Sequence, residues 1–143
     1  MKKLSVVVPC FNEEEVLPET VKQLSDLLKS MISEQLIMKD SFILFVDDGS
    51  SDNTWEMIEQ YHKENKHVQG LKLAGNVGHQ NALFAGLMTA CKSSDVVVSI
   101  DADLQDDIGV IKKMVLENQN GFDIVYGVRE KRDTDTFLKR NTA

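Results

Sequence analysis

The chain has 143 residues, 42% hydrophobic and 27% charged, an ordinary balance that suits one soluble domain with a real core. Its formal net charge of -7 excludes a nucleic-acid-binding surface, which needs a basic stripe. No apolar stretch approaches a membrane span, and Lys2-Lys3 is followed only by a short apolar run up to Pro9. Neither a transmembrane segment nor a signal peptide is expected, and the chain should be soluble by itself, which leaves a membrane-bound substrate open.

Leu4 to Val8 is a β-branched run ended by Pro9 and predicts a strand buried on both faces. Asn12 is placed to cap the next helix, with Glu13, Glu14 and Glu15 near its positive end. Pro18 fits only an opening turn, so the regular helix should begin near it and carry Val21, Leu24, Leu28 and Met31 on one face. Ser41 to Val46 predicts a second strand, and Asp52 can cap a helix bearing Trp55, Ile58 and His62. Val68 to Leu73 is a weaker third strand, followed by a loop from Gly75 to Gly78. Leu83, Leu87 and Ala90 mark a third helix, Asp95 to Ile100 the clearest strand, Ile108, Ile111 and Val115 a fourth helix, and Asp123 to Val128 a fifth strand.

Strands alternating with helices predict an α/β fold, a parallel sheet with helices on both faces and right-handed crossovers. No repeat, low-complexity segment or linker divides the chain. Ligands of such sheets bind outside the carboxyl ends of the strands. Pro9 to Glu13, Asp47-Asp48 and Asp101-Ala102-Asp103 all fall at such ends, and three polar clusters on one edge make a site.

Asp101 and Asp103 share one side of an extended segment, so both carboxylates can grip one Mg²⁺ or Mn²⁺ and hold it against a diphosphate. Gln105 extends the same edge with a neutral oxygen; the alternative for this stretch is a plain helix cap. A turn with a cap accounts for Gly49, Ser50 and Asp52, but not for the doubled acid Asp47-Asp48 after five apolar residues. A carboxylate there can accept a hydrogen bond from a nucleobase N–H. Asn76 to Gln80 opens a helix whose free N–H groups suit an anion, and Gly78 implies a special dihedral or a close approach. His79 reads as a polar helix-start residue, with a catalytic base as the alternative, and His62 and His67 as surface positions. From Arg129 to Arg140 five basic residues face three acidic ones, a locally positive tail that suits either a phosphate contact or a solvated, frayed terminus. Cys10 and Cys91 form no metal or redox motif and suit core packing in the cytosol.

There is no glycine-rich dinucleotide fingerprint after the first strand, no P-loop and no nucleophile elbow. A receiver-like phospho-acceptor module is an alternative, but it wants its acidic pair after the first strand and a lysine after the fifth. A haloacid-dehalogenase-type phosphatase wants its Asp-x-Asp after the first strand. Association with another subunit, without catalysis, is a further alternative. The sequence carries no signal for oligomeric state.

Residues 7–13 (VVPCFNE), 46–52 (VDDGSSD), 76–80 (NVGHQ) with Ala85-Gly86-Leu87, and 101–106 (DADLQD) together resemble the family 2 glycosyltransferases of the GT-A fold. The polyprenyl-phosphate sugar transferases, such as dolichol-phosphate mannose synthase and the enzymes that glycosylate undecaprenyl phosphate, are the most similar group. The resemblance implies a GT-A-type, mostly parallel sheet over residues 1–143. It implies a nucleoside pocket lined by Pro9, Phe11 and Glu13, with Asp48 and Asp47 at the base. Asn76 and Ala102 join the nucleotide-binding set, and Asp101 and Asp103 hold ribose and metal with Gln105 alongside. Arg129, Arg140 and Arg132 meet phosphates, with Asp101, Asp103 and Arg129 as the catalytic set. The implied reaction is inverting, metal-dependent transfer of a hexose from a UDP- or GDP-sugar, UDP-glucose being the expected donor, to a polyprenyl phosphate at the cytoplasmic side of a membrane. The acceptor is already an anion, so no strong base is required. Two departures stand out. Asp107-Ile108 replaces the group's usual proline pair, and a catalytic domain of this kind is expected to continue past Ala143, leaving here the donor-binding portion, for which binding of donor without turnover is open.

Overall fold

The computed structural model describes residues 1–104, 107–119, 124–129 and 136–141, the last two stretches by backbone alone. The elements are β1 (Leu4–Cys10), α1 (Leu17–Ser33), β2 (Phe42–Asp47), α2 (Thr54–Glu64), β3 (Val68–Lys72), α3 (His79–Ala90), β4 (Val96–Ser99), α4 (Gly109–Gln119), β5 (Ile124–Arg129) and β6 (Thr136–Asn141). They fall into two compact units, Met1–Gln105 and Asp106–Ala143.

The first unit is a parallel four-stranded sheet in the order β3-β2-β1-β4. β1 and β2 are buried along their whole length, as continuous apolar runs between two helical layers should be. β1 runs two residues further than its proline suggests, with Pro9 opposite Val46 and Cys10 opposite Asp47. Odd-numbered residues of β1 face β4, as the bond from Ile100 N–H to the Val7 carbonyl shows, and β4 pairing stops at Val7. The N–H that Pro9 lacks would therefore have pointed past the end of β4, where no ladder needs it.

α3 covers one face of this sheet. Its Ala82 and Ala90 join Val7, Phe42, Leu44 and Val46 in a buried cluster. Gly86 lies on the same helical stripe, and a Cβ there would stand 2.5 Å from Val7 Cγ1 and 2.7 Å from Val46 Cγ2. Small residues spaced by four thus let α3 settle close on the strands and carry its N-terminus over their carboxyl edge. α1 and α2 contact each other and β2. α1 buries Leu17, Val21, Leu24, Leu28 and Met31 on one stripe, each full burial of such a side chain being worth roughly 1.5–3 kcal/mol. No helix among the described residues is long and apolar enough to cross a membrane.

Several expectations are corrected. Asn12 does not cap α1: the helix begins at Leu17 with Val16 at its N-cap, and Asn12 adopts a left-handed φ of 52° in the preceding loop. Asp52 lies one residue before the N-cap Asn53, yet still accepts the Thr54 N–H at 2.9 Å. Cys91 is exposed, whereas Cys10 is buried. His67 is buried, its Nδ1 3.0 Å from the Ser41 carbonyl, whereas His62 is exposed as expected, with its Nδ1 2.7 Å from the Val68 carbonyl.

In the second unit, β5 does not join a parallel sheet. It pairs antiparallel with β6, from Ile124 opposite Asn141 to Arg129 opposite Thr136, so Lys139 and Arg140 of the basic tail lie in a paired strand. The chain between them is short enough for an antiparallel return, whereas a parallel one needs a crossover of about a dozen residues or more.

Candidate functional site

The order β3-β2-β1-β4 places a topological switch between β1 and β4, where open α/β sheets leave a crevice beyond their carboxyl ends. A cleft of about 500 Å³ lies there, within the usual range for small-molecule sites. β1 and the loop after it contribute Pro9, Cys10, Phe11 and Glu13; the end of β2 is followed by Asp48; the loop into α3 contributes Asn76 and Gly78, and α3 His79 and Ala82; the turn after β4 contributes Asp101, Ala102 and Asp103. All three strand-exit clusters therefore meet in one place.

Asp48 is 3% exposed, and its Oδ1 accepts the Val77 N–H at 2.7 Å. The buried carboxylate thus ties the α3 entry loop to the end of β2. Next to it, Gly49 has φ 71°, and a Cβ on it would meet Asn76 N at 2.5 Å and the Gly75 carbonyl carbon at 2.8 Å. Main chain passes over main chain here, which only glycine permits.

The Asp101–Asp103 segment is a turn, not the extended stretch its spacing predicts: Leu104 N–H bonds back to the Asp101 carbonyl at 3.2 Å and Leu104 has φ 51°. Both carboxylates nonetheless line the cleft, because Ala102 between them is buried and its carbonyl accepts a hydrogen bond from Thr20 Oγ1 of α1. That bond pins the turn to the body of the unit. His79 Nε2 lies 3.8 Å from Asp101 Oδ1 across the cleft.

The electrostatics are one-sided. Glu13 has its carboxyl raised above the ordinary value, first by partial burial and then by the charges of Asp103, Asp52 and Asp101. Burial, followed by the charges of Glu13, Asp47 and Asp52, pushes the Cys10 thiol far up, so it is a neutral wall and no nucleophile. Replacing Glu13 by glutamine is therefore expected to raise the melting temperature near neutrality. A raised folded-state pKa penalises the fold only while Glu13 is ionised, so the gain should shrink as pH falls through that pKa towards the ordinary carboxylate range. Thermal melts of both chains across that range check this, and a gain that does not depend on pH would remove the repulsion.

The donor set fits a hard divalent cation. Among the described residues no group of three or more His, Cys, Asp or Glu side chains is spaced to hold a metal. Two carboxylates on the rim, with excess negative charge behind them, instead match an ion that takes one or two protein ligands and completes its shell with substrate phosphates and water.

Not every expected residue converges. Asp47 does not line the cleft: it is 1% exposed, its Oδ1 accepts the Ser50 N–H at 3.3 Å, and its neighbour Val46 packs on the α3 face while Asp47 alternates away from it. Gln105 and Arg132 lie outside the described residues, and so do the side chains of Arg129 and Arg140, whose backbones form register positions in β5 and β6. Conversely, Cys10, Gly78, His79 and Ala82 line the cleft although the expected binding and catalytic set does not include them. For His79 and Gly78 a signal exists, since both open the helix whose N-terminus approaches the cleft.

Comparison with known proteins agrees with this geometry. The model of the family described as glycosyl transferase family 2 matches residues 5–143. Over 140 residues the chain is 60% identical to "Uncharacterized glycosyltransferase YkoT" of Bacillus subtilis (strain 168), covering 98% of this chain and 42% of that protein. The chain thus spans less than half of this curated relative. Among solved structures, the mannosyltransferase PcManGT from Pyrobaculum calidifontis, in complex with GDP-Man and Mn²⁺, is similar with a TM-score of 0.56 and 24% identity, over 71% of this chain and 28% of that one. S. aureus TarS 1-349 in complex with UDP-GlcNAc is similar with a TM-score of 0.55 and 24% identity, over 78% of this chain and 32% of that one. These likenesses establish the GT-A-like α/β fold.

Proposed function

The chain belongs to glycosyl transferase family 2, and from that premise we propose that residues 1–143 are the donor-binding part of a metal-dependent hexosyltransferase that takes its sugar from a nucleotide diphosphate. The observation that carries this reading is the meeting of Phe11, Asp48, Asp101 and Asp103 in one cleft at the sheet's switch point. Relatives in fold were solved with GDP-Man and with UDP-GlcNAc, which supports a nucleotide sugar as the ligand class.

In this reading Phe11, 46% exposed at the cleft, supplies a flat apolar surface for the base, and Pro9 backs it. Asp48 accepts a base N–H with the acceptor capacity that Val77 leaves over. Asn76 lines the same cleft. Asp101 and Asp103 would hold Mg²⁺ or Mn²⁺, whose contribution when bound is to neutralise the charge of the leaving diphosphate. The buried Ala102 keeps the two carboxylates at the rim, and catalysis rests on positioning rather than on a protein nucleophile. By the resemblance alone, Arg129 and Arg140 would meet phosphates of donor or acceptor and Gln105 would serve the metal. For the whole protein the proposed reaction is inverting transfer from UDP-glucose to a polyprenyl phosphate at the cytoplasmic face of a membrane. The resemblance of DADLQD (101–106), and of Val128-Arg129 through Arg132 with Phe137 to Arg140, to that group supports this acceptor.

Calorimetric titration of the folded chain with UDP, GDP and their sugars, with and without Mn²⁺, tests the donor half. Metal-enhanced binding of one nucleotide class is the expected result. No binding to any of them in the presence of Mn²⁺ would overturn it.

A further inference from the structure

Phe11 and Glu13 stand in the loop after β1, and nothing in their own exposure fixes them: Phe11 is 46% exposed and Glu13 is only half-buried. What holds this loop is a set of hydrogen bonds to the loop between β2 and α2. Asn12 N–H donates to Ser50 Oγ at 2.9 Å, and Asn12 Oδ1 accepts the Ser51 N–H at 2.8 Å. Glu13 N–H donates to Thr54 Oγ1 at 2.9 Å, and Glu14 N–H to Asp52 Oδ2 at 3.3 Å. Asn53 N–H returns a bond to Glu14 Oε2 at 3.1 Å. Although desolvation opposes it, the Asp52 carboxyl lies below the ordinary value, because the Thr54 side chain and the Thr54 and Glu14 N–H groups favour the charged form.

Asn12 is the pivot of this seam. It sits between the two cleft residues, bonds through both its main chain and its side chain, and holds φ at 52°. A left-handed asparagine is tolerated where its short side chain finds a local partner. Were Asn12 to leave that region, Phe11 and Glu13 would both turn away from Asp48.

We infer that Asn12 is a positioning residue that sets nucleobase selection, by latching the Phe11 side of the cleft to the Ser50–Ser51 turn that follows Asp48. The inference rests on the donor-site reading above. It assigns the Ser-Ser-Asp-Asn-Thr stretch to alignment of two loops rather than to ligand contact.

Asn12→Gly preserves the left-handed backbone and deletes the side-chain acceptor, whereas Asn12→Asp keeps the acceptor. Both are compared with the unaltered chain by titration with UDP and with GDP in the presence of Mn²⁺, alongside thermal melts. Asn12→Gly is expected to weaken the preferred nucleotide about fivefold to tenfold, as loss of a positioning hydrogen bond should, and to narrow the UDP-to-GDP preference. Asn12→Asp is expected to restore most of both. A merely structural role would lower the melting temperature and leave the preference unchanged, and that result overturns the inference. Should Asn12→Gly fail to melt cooperatively, Ser50→Ala removes the other half of the latch and must show the same narrowing. If the unaltered chain binds neither nucleotide, the donor-site reading fails and this inference fails with it. If it binds normally and Asn12→Gly matches it, only the latch is wrong.

Discussion

Asp103→Asn is expected to weaken nucleotide binding in the presence of Mn²⁺ by about a hundredfold, at the upper end of what loss of even an outer-shell partner costs a metal site. Asparagine keeps an oxygen but surrenders the charge, and a cation bound by so few protein ligands depends on each charge. Binding without metal should change far less. Folding should hardly suffer, because Asp103 is exposed and surface changes of this kind cost within roughly 0.5 kcal/mol. Removing its charge also relieves Glu13, for which Asp103 is the foremost charged neighbour. Paired titrations with and without Mn²⁺, with a melting curve for each chain, measure all three effects. Equal loss of affinity in both series would sink the metal assignment.

Gly49→Ala should act through the opposite route, on the fold first and the ligand second. Its left-handed φ of 71° already strains any L residue, and the new methyl would press on Asn76 N at 2.5 Å. The obstacle is main chain, which cannot swing aside like a lysine tip. Left-handed strain and overpacking together predict a loss of about 3 kcal/mol or more. Urea unfolding should show a lower midpoint with an unchanged slope. The loop that must yield is the one Asp48 holds through Val77, so nucleotide affinity should fall as well, in the fraction that remains folded. A chain as stable as the original would mean that the two loops do not pass this closely.

Much of the molecule is legible without coordinates. The strands at Leu4 and Phe42 follow from β-branched and apolar runs, because burial on both faces leaves almost no polar position to alternate with; the run at Val96 forms a strand as well, with Val98 its buried residue. The cleft follows from acids placed straight after those runs. Phe11, Asp48, Asp101 and Asp103 all belong to one edge by that logic and are found around one cavity. Local rules fail where a residue's partner is distant in the chain. Asn12 looks like a helix cap because asparagine before a helix usually is one, but its acceptor is spent on Ser51, 39 residues away. Asp47 and Asp48 are chemically identical neighbours, and only the strand's alternation sends one into the cleft and the other into the interior. β5 carries the composition of a parallel strand and pairs with β6 instead, since pairing is settled by which partner lies within reach.

Sequence by itself determined the alternation of elements, the apolar layers and the cluster of acids at the carboxyl ends, since these rest on periodicity and on the cost of burying charge, both local properties. Tertiary structure alone decided which of two adjacent aspartates serves the cleft, how closely α3 can lie through Gly86, and that two loops far apart in the chain are sewn together at Asn12. Those outcomes depend on distances between segments, and no count of residues along the chain contains them.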